Sequence, residues 1–84
     1  MCKILLLEDD VSLIDGLVYS LERNGFSLDV ARTVKDAENY LSKHEYNLLL
    51  LDVTLPDGTG FEVCEQVRKI GSVVPIIGSA EKDV

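Results

Sequence analysis

Three short apolar runs punctuate the chain: Ile4-Leu5-Leu6-Leu7, Leu48-Leu49-Leu50-Leu51 and Val73-Val74-Pro75-Ile76-Ile77. Unbroken apolarity, without polar alternation, suits a strand covered on both faces, and such strands belong to parallel sheets flanked by helices. Leucine has little preference for strands, so the run of leucines is assigned by its length, which is too short for a helix. Between the runs the apolar period changes. Val11, Ile14, Leu17, Val18 and Leu21 recur at helical spacing, and Gly25 stands where a left-handed C-terminal cap belongs. Ser27 to Ala31 alternates Leu28 and Val30 with polar residues, as a half-covered strand does. Thr33-x-x-Asp36 then resembles a capping box opening a second helix, with Ala37, Tyr40 and Leu41 on its apolar side. Pro56-Asp57-Gly58-Thr59-Gly60 is a turn cluster, followed by a third helix marked by Phe61, Cys64 and Val67 and ending near Gly71.

The resulting order, β-α-β-α-β-α-β, has connections near the length that right-handed crossovers need, and it predicts an α/β fold with a doubly wound parallel sheet. At 84 residues the whole of 1–84 makes one domain, since a single core takes most of that length to close. No internal repeat, linker or low-complexity tract interrupts it. Gly78-Ser79-Ala80-Glu81-Lys82-Asp83-Val84, after the last run, is too short for another βα unit.

Composition narrows the partners. Eight basic against fifteen acidic residues give a formal charge of −7, which repels phosphate backbones and anionic lipid, so the reading is of no nucleic acid bound by this segment and no membrane. Cys2 and Cys64 lack the C-x-x-C spacing and neighbouring His of a zinc site, and read as reduced thiols. The apolar run after Met1-Cys2-Lys3 is too short for a signal peptide or membrane span, so a cytoplasmic location is expected.

The candidate chemistry follows the strands. In open α/β sheets ligands sit outside the carboxyl ends of the strands, near the point where strand order reverses. Glu8, Asp9 and Asp10 follow the first run, Asp52 follows the third strand and Ser79 the fourth, which delivers carboxylates and a hydroxyl to one edge. Carboxylates at about 4 Å repel by roughly 4 kcal/mol per pair at an effective dielectric near 20, so the cluster must raise a pKa or bind a cation. With only oxygen donors on offer, a hard ion such as Mg²⁺ fits and zinc does not. Beside such an ion Asp52 can act as a nucleophile toward phosphorus, giving an acyl phosphate, with Ser79 and loop N–H groups as donors to the phosphoryl oxygens. Asp10 reads as a helix cap rather than a ligand, Asp57 as a turn residue, and His44, between Lys43 and Glu45, as a solvated side chain.

At these residues the sequence resembles the receiver domain of bacterial two-component response regulators, in the group whose acidic pair reads Glu-Asp. The likeness is carried by Lys3 to Asp10, by Asn24-Gly25-Phe26, by Tyr46 to Gly60 and by Pro75 to Ala80. The resemblance implies a flavodoxin-like fold with strand order 2-1-3-4. It further implies that Asp52 is the phosphorylation site. Mg²⁺ would then be held by Asp9, by Glu8 directly or through water, by Asp52 and by the Thr54 backbone carbonyl, with Ser79 as the switch hydroxyl. A sensor histidine kinase would be the phosphoryl donor. By the same resemblance the fifth strand, with its phosphate-pairing Lys and aromatic switch residue, and the last two helices lie beyond the chain end, so 1–84 is a partial receiver domain with impaired switching. Lys82 comes too soon after Ser79 to replace that Lys, and Gly78 stands where the family has a larger apolar residue.

Two other functions compete. Haloacid-dehalogenase-type phosphatases also place a nucleophilic Asp after an apolar strand beside Mg²⁺, but they carry a second Asp two residues on, where this chain has Thr54. The other alternative is a silent folded interaction module. With the strand order 2-1-3-4 that the resemblance implies, the Val73 to Ile77 strand is an open edge, which predicts self-association as a dimer or larger species.

Overall fold

The computed structural model describes residues 2–52 and 54–79. Its strands are β1 (Lys3–Leu7), β2 (Ser27–Ala31), β3 (Leu48–Asp52), β4 (Thr54–Leu55), β5 (Gly58–Thr59) and β6 (Ile76–Ser79); its helices are α1 (Val11–Arg23), α2 (Val34–Lys43) and α3 (Gly60–Lys69). The long apolar runs become parallel neighbours in one sheet, with Leu5 opposite Asp29 on one side and Leu49 on the other. The order of that sheet is β2-β1-β3-β6.

This corrects the order 2-1-3-4 and the strand count that went with it. Between β3 and the last parallel strand the chain forms β4 and β5, which pair only with each other, antiparallel, as Thr54 with Thr59 and Leu55 with Gly58. The neighbour of β3 is therefore the sixth strand of the chain, and the described residues hold six strands and three helices rather than an incomplete set of four. The cause is local. Pro56 and Asp57 reverse the chain in two residues, and the flanking pairs then close a short ladder.

The start of β6 also differs from expectation. Pairing begins at Pro75, whose carbonyl accepts from Leu49 N–H at 3.0 Å, and the strand runs Ile76–Ser79 rather than Val73 to Ile77. Pro75 has no N–H to offer a ladder, so the residues before it stay outside, and Val73 is 89% exposed.

Alternation along the strands divides the core. Leu5, Leu7, Leu49 and Leu51 pack with Val34 and Ala37 of α2 and Val63 and Val67 of α3. Gly60, Val63 and Val67 share the buried side of α3 at spacings of three and four, which sets the phase of the helix and leaves Phe61 outside it, 65% exposed, contrary to its reading as an apolar-face residue. Cys64 is half-buried beside this core. On the opposite face α1 buries none of its residues fully, although Ile14, Val18 and Leu21 of the predicted stripe are half-covered.

Helix ends follow the chemistry of their caps. Asp10 accepts from Ser12 N–H at 2.9 Å and Leu13 N–H at 3.3 Å, as a cap should. Gly25 and Gly71 both have φ of 89° just past α1 and α3, where Gly25 and Phe26 N–H return to Glu22 and Leu21 carbonyls, and Gly71 and Ser72 N–H to Arg68 and Val67. At the amino rim of the sheet the Tyr46 hydroxyl donates to Asp29 Oδ2 at 2.7 Å, and Lys3 Nζ lies 3.6 Å from the same oxygen. None of the described helices is long and apolar enough to cross a membrane.

Candidate functional site

The sheet order reverses at β1, so the crevice between the carboxyl ends of β1 and β3 is where a ligand site belongs. Parallel pairing brings the residues there without any further device. Leu7 of β1 pairs with Leu51 of β3, so Glu8 and Asp52 emerge side by side. Glu8, Asp9 and Asp52 each offer a carboxylate oxygen, and the three oxygens lie within 4.8 Å of one another. Glu8 is 5% exposed and Asp52 1%, while Asp9 is half-buried.

Packing fixes each carboxylate's origin. Glu8 N–H donates to the Ala31 carbonyl at 3.0 Å, extending the β1–β2 ladder one step past Leu7, and Glu8 Oε2 accepts from Asp10 N–H at 3.2 Å. Arg32 Nη2 reaches the Asp9 carbonyl at 3.4 Å. On the other side, Gly60 opens α3 against Asp52: a Cβ at Gly60 would stand 2.2 Å from the Asp52 carbonyl oxygen, a distance no side chain tolerates. Carboxylates gathered this closely repel one another, and a divalent cation placed among them relieves that repulsion. The donor set is all oxygen, with neither His nor Cys among its members, and so fits a hard divalent cation.

Ser79 is the register partner of Asp52, one strand over. Thr54 opens β4, two residues past Asp52, and pairs with Thr59. Lys82 lies outside the described residues. Gly78 pairs with Leu51, and a Cβ there would meet nothing within 4 Å, so the position has room for a larger residue. It lines a cleft of about 280 Å³ with Leu6, Leu13, Leu17, Leu50 and Ile77, which reaches Glu8 and Asp52 at one end. His44 is exposed, with its ring 6.2 Å from that of Tyr46, and takes no part in the site.

Asp57 does more than turn the chain. Its Oδ1 and Oδ2 accept from the N–H groups of Val34 and Lys35, at 2.8 and 3.2 Å, which caps α2 from across the fold. The Val34 hydrogen bond, with that of Lys35, holds the Asp57 carboxyl below its ordinary pKa. Neither this cap nor the close approach at Gly60 was visible along the chain; Arg32 could have been read from its place directly after β2, on the carboxyl edge.

A family described as the response regulator receiver domain matches residues 4–83. Among curated relatives, the swarming motility regulation protein RssB of Serratia marcescens is 45% identical over 81 residues, covering 96% of this chain and 37% of its own. The alkaline phosphatase synthesis transcriptional regulatory protein PhoP of Bacillus subtilis is 36% identical over 81 residues, covering 96% of this chain and 34% of its own. The chain thus spans about a third of the length of these relatives. Among solved structures, the non-phosphorylated HemR receiver domain from Leptospira biflexa superposes with a TM-score of 0.87 at 35% identity, over 93% of this chain and 63% of that one. The MaeR response regulator bound to beryllium trifluoride gives 0.88 at 29% identity, over 100% of this chain and 70% of that one.

Proposed function

The chain belongs to the response regulator receiver domain family, and from that premise we propose that Asp52 is its phosphoacceptor and that Glu8, Asp9 and Asp52 hold Mg²⁺. The observation that carries the proposal is the approach of the three carboxylate oxygens to within 4.8 Å at the carboxyl ends of two adjacent parallel strands. An Asp52 oxygen attacks phosphorus, forming the O–P bond of an acyl phosphate as the bond to the donor breaks. Membership in the family supports a sensor histidine kinase as that donor and a domain that is phosphorylated rather than one that turns over substrate. Bound Mg²⁺ would neutralise the carboxylates and take up charge on the phosphoryl oxygens. The Thr54 carbonyl completes the proposed ligand set, and Ser79, opposite Asp52 in register, is the proposed switch hydroxyl. A cytoplasmic setting is part of the same proposal.

Treatment with a small-molecule phosphodonor and Mg²⁺ tests this. The expected result is a mass gain of one phosphoryl group, mapped to Asp52 and absent from Asp52→Asn. Rapid donor hydrolysis without a stable adduct would favour the phosphatase reading, and no reaction a silent module. Mg²⁺ titration tests the metal half, where equal affinity in the unsubstituted chain and Asp9→Ala would refute the ligand assignment.

A second reading concerns association with further copies. Among the described residues β6 is an edge strand, and Ile77 within it is 56% exposed, which supports self-association through Ile76–Ser79 in place of the Val73 to Ile77 segment expected from the sequence. Light scattering at high concentration is expected to give a dimer or larger species; a monomeric mass counts against it.

A further inference from the structure

The start of α2 is tied to the acidic site from two sides. The leading N–H groups of a helix have no partner within it. In α2, Asp36 N–H donates to Thr33 Oγ1 at 3.0 Å and Ala37 N–H to the Thr33 carbonyl at 3.1 Å, both inside the same segment. Val34 and Lys35 instead donate to the Asp57 carboxylate, 23 and 22 residues away. Asp57 sits in the turn of the β4–β5 ribbon, the stretch of chain between Asp52 and α3. On the other side, the residues just before Thr33 hold the end of β1: the Ala31 carbonyl takes Glu8 N–H, and Arg32 donates to the Asp9 carbonyl. The start of α2 is therefore bonded both to the segment carrying Glu8 and Asp9 and to the ribbon that follows Asp52.

The ribbon has little of its own to fix it. Two pairs make a ladder too short to hold alone, and among the described side chains Leu55 ties it to the buried core. The Asp57 carboxylate, placed on two N–H groups at the positive end of a helix, supplies a charge-assisted anchor. We infer that Asp57 is a positioning residue for the cation site: by clamping the β4–β5 ribbon to α2, it holds the backbone after Asp52 in place against Glu8 and Asp9. The inference rests on the reading of the acidic triad as a cation site. Gly60 carries the effect inward, since the far end of the ribbon opens directly onto the Asp52 carbonyl. Mg²⁺ demands near-ideal octahedral geometry, so a small shift of this backbone lowers affinity.

Coupling of this kind is reciprocal, and cation binding should tighten the clamp. The test is titration of the full chain with Mg²⁺ alone, in the unsubstituted protein and in Asp57→Ala, Asp57→Asn and Thr33→Ala. Asp57→Ala is expected to weaken binding on the order of threefold to tenfold, the range of a contact acting through its neighbours. Asp57→Asn should fall between, because its amide keeps one acceptor oxygen. Thr33→Ala removes a cap from the same helix without touching the ribbon, and should leave the affinity within about twofold. Unchanged affinity in Asp57→Ala overturns the inference, as does equal weakening in Thr33→Ala. Should Asp57→Ala not fold, amide exchange in the unsubstituted chain decides: Mg²⁺ should slow Val34 and Lys35 more than Asp36 and Ala37, and an even response overturns it. A chain with no Mg²⁺ affinity at all removes the premise, and both readings fall; binding that the Asp57 variants leave untouched removes this inference alone.

Discussion

The two faces of the central sheet are built from the same leucine runs and are covered very differently. Under α2 and α3, Leu5 and Leu49 are fully buried and mesh with Val63, Val67 and Ala37. Under α1, Ile4 and Leu6 are also shielded, yet the helix above them buries nothing fully, and Leu13, Leu17 and Ile77 remain 46%, 37% and 56% exposed. Burial of the strand on both sides is what the unbroken apolar runs require, and the α2–α3 side meets it at Leu5, Leu7, Leu49 and Leu51 of the two central strands. The acidic site lies where the two regimes meet: Asp52 is anchored through α3 on the closed face, while the cleft beside Ile77 opens the other. The closed face should therefore govern stability, and the open face is where the proposed association is tested.

Truncation on each face tests that division most directly. Leu49→Ala is expected to cost roughly 2–5 kcal/mol in chemical denaturation, as buried Leu→Ala changes do. Leu17→Ala should cost less than about 1 kcal/mol, since the side chain is partly in water already. Equal losses would erase the contrast. Next in size is Gly60→Ala, whose Cβ would meet the Asp52 carbonyl oxygen at 2.2 Å; a loss of roughly 1–3 kcal/mol is expected, accompanied by weaker Mg²⁺ binding. A stable variant with unaltered affinity would mean that the backbone there yields easily. Ile77→Ser should change stability by less than about 1 kcal/mol while lowering the average mass in light scattering, if the open face is where copies meet.

The smallest effect is a pH dependence at Asp57. Its carboxyl is held below the ordinary value of 3.8 by the Val34 and Lys35 hydrogen bonds, so the folded chain binds that proton less readily than the unfolded one. The stabilisation is then complete above 3.8 and fades as pH falls through the depressed folded value. The denaturation midpoints of the unsubstituted chain and Asp57→Asn should accordingly draw together in acid and stand apart near neutrality. Midpoints that diverge on acidification would reverse the sign.

Where the sequence speaks plainly, it does so through repeated local signals. Leu48 to Leu51 and Ile4 to Leu7 declare buried strands, and once these are parallel and adjacent, Glu8, Asp9 and Asp52 converge, because all three lie at the carboxyl ends of those strands. What stays hidden has no local signature. Two-residue strands such as β4 and β5 are too short to leave a period, which is why the order and strand number needed correction. Phe61 is apolar at a plausible position, and only the phase set by Gly60 and Val63 turns it outward. The cap that Asp57 provides to α2 depends on two segments 23 residues apart meeting in space, and no spacing rule anticipates that.

Far from the acidic edge, the phenol of Tyr46 reaches past β1 to Asp29 on β2, and burial, followed by that hydrogen bond, keeps its proton on well above the ordinary range. In a chain with three tyrosines and no tryptophan, this gives the fold an optical gauge of its own. Phenolate absorbance from Tyr46 is expected at a higher pH than that of an ordinary tyrosine, and loss of the Asp29 hydrogen bond in Asp29→Ala should bring it down, so the difference between the two ultraviolet titrations reports this contact without any added label.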